Sequence, residues 1–111
     1  MNIHSLTWPI LLKQPLQDEL IYLTSSEEFF EQLSLLGPLD GVFIIDTNGT
    51  SYHIESDTLL SPCTPQLPIA TLIDWVRLHA SQAGHCCTSK LSVNNIAQLF
   101  EIVVFIEQES P

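Results

Sequence analysis

Chemistry in this chain would have to come from a short roster of side chains. His79, His85, Cys86 and Cys87 fall within nine residues, a density of soft and borderline ligands that raises the question of zinc. Structural zinc sites pair ligands about two to four residues apart in two separate knuckles. Here the second knuckle is missing unless the distant Cys63 or His53 joins, so no established zinc signature can be written. The plainer reading makes Cys86 and Cys87 small hydrophobes alternating in and out of a strand. A Cys–His nucleophile pair is no more specific, because three cysteines and four histidines allow several pairings.

The carboxylates are more informative. Glu27, Glu28 and Glu31 have an ordinary explanation at the start of a helix. Asp40, Asp46, Glu55 and Asp57 follow one another with no intervening base, carried on a predicted hairpin and its flanks. Such a surface would attract a basic protein partner, although net charge also serves solubility alone. Trp8 completes the expected interaction surface: on an edge strand it offers strand addition or weak self-pairing as a homodimer, blunted by Pro9 and Lys13. Trp75, at helical spacing with apolar neighbours, reads as packing.

Several function classes drop out. Glycine occurs at 37, 41, 49 and 84, so neither a dinucleotide fingerprint, a P-loop nor a nucleophile elbow exists, and no cofactor is implied. Asp46-Thr47-Asn48-Gly49 opens like a calcium loop but places its glycine too early. Thirteen acids oppose three bases, a net charge of −10 reached with only 14% charged residues. That shortage of bases argues against nucleic acid and against anionic membrane surfaces. The absence of a signal-like N-terminus, of a long apolar run and of an even cysteine framework leads to the expectation of a reduced, cytoplasmic protein.

The elements that must position these residues fit one domain, as expected for 111 residues. Leu6 to Lys13 suggests an outer strand because Pro9 lies within it. Glu19 to Leu23 suggests a second strand. Ser25 and Glu28 form a capping box for a helix ending at Gly37-Pro38, with Phe29, Phe30, Leu33 and Leu36 on one face. Val42 to Asp46 and Thr50 to Glu55 flank Asn48-Gly49, which predicts a type I′ hairpin. Ser56 to Pro68 is expected as a long loop, Ile69 to Ala83 as a helix, Val93 to Phe100 as a short helix, and Glu101 to Glu107 as a buried last strand beside Val42. The order β-β-α-β-β-α-(α)-β implies a two-layer α+β domain, a mostly antiparallel sheet of about five strands with two to three helices on one face.

The N-terminal residues Trp8-Pro9-Ile10-Leu11-Leu12-Lys13, followed by Asp18-Glu19-Leu20-Ile21-Tyr22-Leu23, resemble the opening of a family of small uncharacterised bacterial proteins, a domain of unknown function. The resemblance implies a free-standing bacterial protein and transfers no catalytic residue. The residues therefore favour a non-catalytic protein-interaction module. The alternative is a small-ligand binder or enzyme with a pocket beneath the 56–68 loop, drawing on His53, Cys63 and His79.

Overall fold

A computed structural model describes residues 2–36, 40–55, 59–82 and 95–109. Among these residues, after a 3-10 turn at Ile3–Ser5, five strands and three α-helices follow in the order β1 (Ile10–Lys13), β2 (Leu20–Leu23), α1 (Ser26–Leu35), β3 (Phe43–Asp46), β4 (Ser51–Ile54), β5 (Leu60–Pro62), α2 (Ile69–Gln82) and α3 (Ile96–Glu109). The strands form one antiparallel sheet in the order β2-β1-β3-β4-β5. The α+β class and the five-stranded antiparallel sheet agree with the sequence reading.

The layering does not. Alternate residues of each strand enter two separate cores. Ile10, Leu12, Leu23, Ile44 and Tyr52 pack with Phe29 of α1. Leu11, Leu20 and Ile45 pack with Leu72 and Val76 of α2 and with Leu99, Phe100 and Val103 of α3. The sheet is thus covered on both faces, three layers rather than two. The signal was present in Ile10-Leu11-Leu12 and Ile44-Ile45, unbroken apolar runs of the kind that central, doubly covered strands carry.

Three further expectations are corrected. β1 is not an outer strand: Pro9 precedes it, so Ile10–Lys13 pairs with β2 on one side and β3 on the other. Part of the expected 56–68 loop is β5, an edge strand. Cys63 N–H donates to Ser51 O at 2.9 Å and Glu55 N–H to Leu59 O at 3.0 Å; that alternation turns Pro62, which lacks an N–H, to the open side. The expected last strand is the second half of α3. Ile96, Leu99, Phe100, Val103 and Ile106 recur at helical spacing, and Asn95 Oδ1 accepts from Gln98 N–H at 2.9 Å as the cap. The place beside β3 is already filled by β1, so burial in a helical layer overrides the β-branched propensity of Ile102 to Val104.

The α1 cap forms as expected at Ser25, which accepts from Glu28 N–H at 3.2 Å. Glu28 reaches one residue further back than a standard box, accepting from the backbone N–H of Thr24 at 3.2 Å and from its hydroxyl.

Candidate functional site

Register sets one row of side chains across the sheet face that α2 covers. Leu20 pairs with Lys13, Lys13 with Phe43, Phe43 with His53, and His53 with Ser61. Over this row α2 lays Trp75 and, one turn on, His79. The Phe43 ring lies 5.5 Å from Trp75 and 5.0 Å from His53, both pairs tilted, a favourable arrangement for aromatic rings. Lys13 Nζ lies 5.6 Å from the Trp75 ring centroid, within cation–π range, and donates to Gln14 O at 2.9 Å and to Gln17 O. The base in this row is therefore held by its own chain. Phe43 and Trp75 are half-buried and His53 is exposed.

Just beyond the row, the same register gathers acids on one rim of the sheet. Extending the β1–β2 and β3–β4 pairings by one or two residues brings Asp18 and Glu19 to the same end as Gly41 and Glu55. Pro15 supports this, since its ring lies 3.4 Å from where a Cβ on Gly41 would stand. Asp18, Glu19, Asp40 and Glu55 are all exposed.

Of the residues singled out in the sequence, Asp40 and Glu55 share this rim. Asp46 lies at the opposite end of the hairpin and is buried. Its Oδ1 accepts from the N–H groups of Asn48 and Thr50, each at 3.0 Å, and its Oδ2 from the Tyr52 hydroxyl at 3.3 Å. Burial, and then the Asp46 charge and its hydrogen bond, push the Tyr52 phenol above its ordinary range, against a smaller opposing effect of Thr50. Asp46 thus builds the turn, its carboxylate engaged by donors of its own hairpin. That turn is not type I′: among the described non-glycine residues only Leu16 has positive φ. Gly49 N–H bonds Asp46 O at 2.9 Å with Gly49 at φ +84°, a three-residue loop of type I with a glycine bulge. Trp8 is half-buried and edge-to-face with Phe29, centroids 6.5 Å apart, and lies on no sheet edge. Asp57, His85, Cys86 and Cys87 lie outside the described residues.

His79 is buried, and its Nδ1 accepts from the backbone N–H of Leu20 at 3.0 Å. In the neutral ring this places the proton on Nε2, which lies 3.8 Å from Glu107 Oε1. The expected grouping of His53, Cys63 and His79 does not form. His79 sits over β2, whereas His53 is on β4, about 14 Å away at three strand spacings. Cys63 is buried, and that burial pushes its thiol up, which makes it a poor nucleophile. Among the described residues, no three His, Cys, Asp or Glu side chains gather to hold a metal, and no helix is long and apolar enough to cross a membrane. Sequence reasoning passed over Lys13, Asp18 and Glu19. The i, i+4 pair Trp75 and His79 was the available signal for a helix face laid across a polar row.

Fold and site together define a small α+β domain with an open five-stranded antiparallel sheet, helices on both faces and an acidic rim. The chain belongs to the family DUF4144, described as a protein structure with unknown function, whose model matches residues 8–103. The N-terminal resemblance is thereby shown to be a family relationship. A solved structure, the NMR structure of a protein from Shewanella Amazonensis, is similar over 91% of this chain and 90% of its own, with 29% sequence identity and a TM-score of 0.66. No protein of curated function matches the chain.

Proposed function

We propose that this protein is a non-catalytic interaction module that binds a basic segment of another protein along the acidic rim. The observation that carries the reading is the register itself, which draws Asp18, Glu19, Asp40 and Glu55 to one end of the sheet. Directly inside them lie the half-buried rings of Phe43 and Trp75 and the exposed imidazole of His53. Carboxylates around a partly apolar platform suit a Lys or Arg side chain, whose stem packs on the rings while its head meets the acids. The described bases do not compete for those acids. Lys13 is held by carbonyls and Trp75, and Arg77 faces Asp74 at 3.9 Å.

The test is a titration of the isotope-labelled chain with a short peptide of alternating lysine and valine, at low and at high salt. Binding that shifts the amides of Asp40, His53 and Glu55, weakens with salt, and is lost in an Asp18→Asn/Glu19→Gln/Asp40→Asn/Glu55→Gln variant is the expected outcome. Binding indifferent to salt and to these four substitutions would overturn the reading.

A further inference from the structure

β2 is an edge strand, and its outward backbone donors can be assigned one by one. Because Leu20 N–H points to His79 rather than to Lys13, Leu20 and Lys13 are a non-hydrogen-bonded pair. The alternation of an antiparallel ladder then turns the N–H and C=O of Tyr22 outward as well, and after them those of Thr24. Two of these three donors are held by side chains: Leu20 N–H by the His79 imidazole at 3.0 Å and Thr24 N–H by the Glu28 carboxylate at 3.2 Å. Tyr22 lies between them, and no acceptor meets its N–H among the described residues. The other edge of the sheet is closed differently. There Pro62 offers no donor, and Asn2 forms an antiparallel bridge to Leu59.

We propose that the outer edge of β2 is a strand-addition site, with Tyr22 as its open rung, the buried His79 imidazole closing the Leu20 rung on one side, and the exposed Glu28 contact at Thr24 on the other side a placeholder that an incoming strand can displace. The occupant is an extended, lysine- or arginine-bearing segment of another protein. Asp18 and Glu19 precede the strand, and Glu27 and Glu28 follow it within one turn of α1. A second copy would set these acids against its own, which costs rather than gains. The choice of a basic occupant rests on the acidic-rim reading; the choice of edge does not. Main-chain pairing supplies affinity in this mode, and alternate side chains supply selectivity.

The labelled chain and the alternating lysine–valine peptide separate the two ideas. In the free protein the Tyr22 amide should exchange with solvent at least about tenfold faster than those of Ile21 and Leu23, which the β1 ladder protects. On adding peptide to about 1 mM the Tyr22 amide should shift and slow by about tenfold or more. Asp18→Lys/Glu19→Lys should weaken the binding by about tenfold. Tyr22→Pro, which deletes the donor at a position where an edge strand tolerates proline, should abolish it. If that variant fails to fold, the Tyr22 amide of the native chain still decides. Shifts at Asp40, His53 and Glu55 with an unchanged Tyr22 amide overturn the edge proposal and leave the rim reading standing. A slowed Tyr22 amide with a glutamate–valine peptide as readily as with lysine–valine overturns the basic occupant.

Discussion

Replacing Gly49 by alanine should destabilise the protein by about 2–5 kcal/mol, in two separable parts. Gly49 closes the β3–β4 loop at φ +84°, a region that costs an L residue about 1–2 kcal/mol. A Cβ at this position would also lie 2.7 Å from Cγ1 and 3.0 Å from Cδ1 of Ile96, and such overpacking costs about 1–3 kcal/mol. Ile96 is the first residue of α3, and the helix cannot retreat without loosening Leu99, Phe100 and Val103 from the core. Ile96→Ala removes both colliding atoms; at a half-buried position it should itself cost about 1–2 kcal/mol. In that background Gly49→Ala should cost only its backbone part, about 1–2 kcal/mol, leaving a coupling of at least about 1 kcal/mol. Gly49→Asn, which tolerates the left-handed region but carries the same Cβ, isolates the collision. Urea unfolding followed by the fluorescence of Trp8 and Trp75 measures every corner of the cycle. An equal cost of Gly49→Ala with and without Ile96 would refute the reasoning, since α3 would then not press on the turn.

Removing the His79 imidazole, as in His79→Ala, should cost about 1–3 kcal/mol for the orphaned Leu20 N–H, beyond the lost packing. Hydrogen exchange at the Leu20 amide should quicken in step. Tyr52 should ionise above its ordinary value of about 10, with the protonated phenol favoured in the folded chain. Its contribution to stability is complete below that ordinary value and is lost as pH rises through the folded one. Tyr52→Phe should therefore flatten the alkaline limb of the stability curve, and Asp46→Asn should lower the phenol's titration midpoint in an absorbance titration. In a Cys86→Ala/Cys87→Ala protein, Cys63 should resist alkylation at mildly alkaline pH and react at the rate of an exposed thiol once urea unfolds the chain; rapid labelling of the folded protein would contradict its burial.

Local patterns read well from the residues alone, because the information sits within a few positions. Ser25 and Glu28 announce α1, Phe29 and Leu33 its packed face, and Val42 to Asp46 a strand. What failed depended on partners distant in sequence. Ile102-Val103-Val104 has the local preference of a strand, yet its fate was decided by β1 taking the neighbouring place beside β3. Pro9 within the run argues locally for an edge, but a proline one residue before a strand removes no ladder bond. The site divided along the same line. Asp40 and Glu55 were legible as acids near a hairpin, whereas Asp18 and Glu19 join them only through the pairing of β2 with β1 and of β1 with β3. Asp46 went the other way: the type of turn, set by one glycine, decided that its carboxylate would serve backbone donors.

The geometry of the rim constrains what any partner must bring. Asp18 and Glu19 stand at the end of β2 and Glu55 at the end of β4, about 14 Å apart at three strand spacings. The screening length at physiological ionic strength is only about 8 Å. A single cation therefore feels one end of the rim and little of the other, and the net charge of −10 does not act on it as a whole. Recognition by the rim requires at least two cations held apart by a comparable distance. A segment that extends across the strand ends supplies that spacing, whereas adjacent lysines in a compact turn do not. A strand added along β2 would run with the existing strands instead, and its cations would meet Asp18 and Glu19 at one end and Glu27 at the other. The spacing of positive charges along a bound segment thus distinguishes a ligand lying across the rim from one paired to the edge.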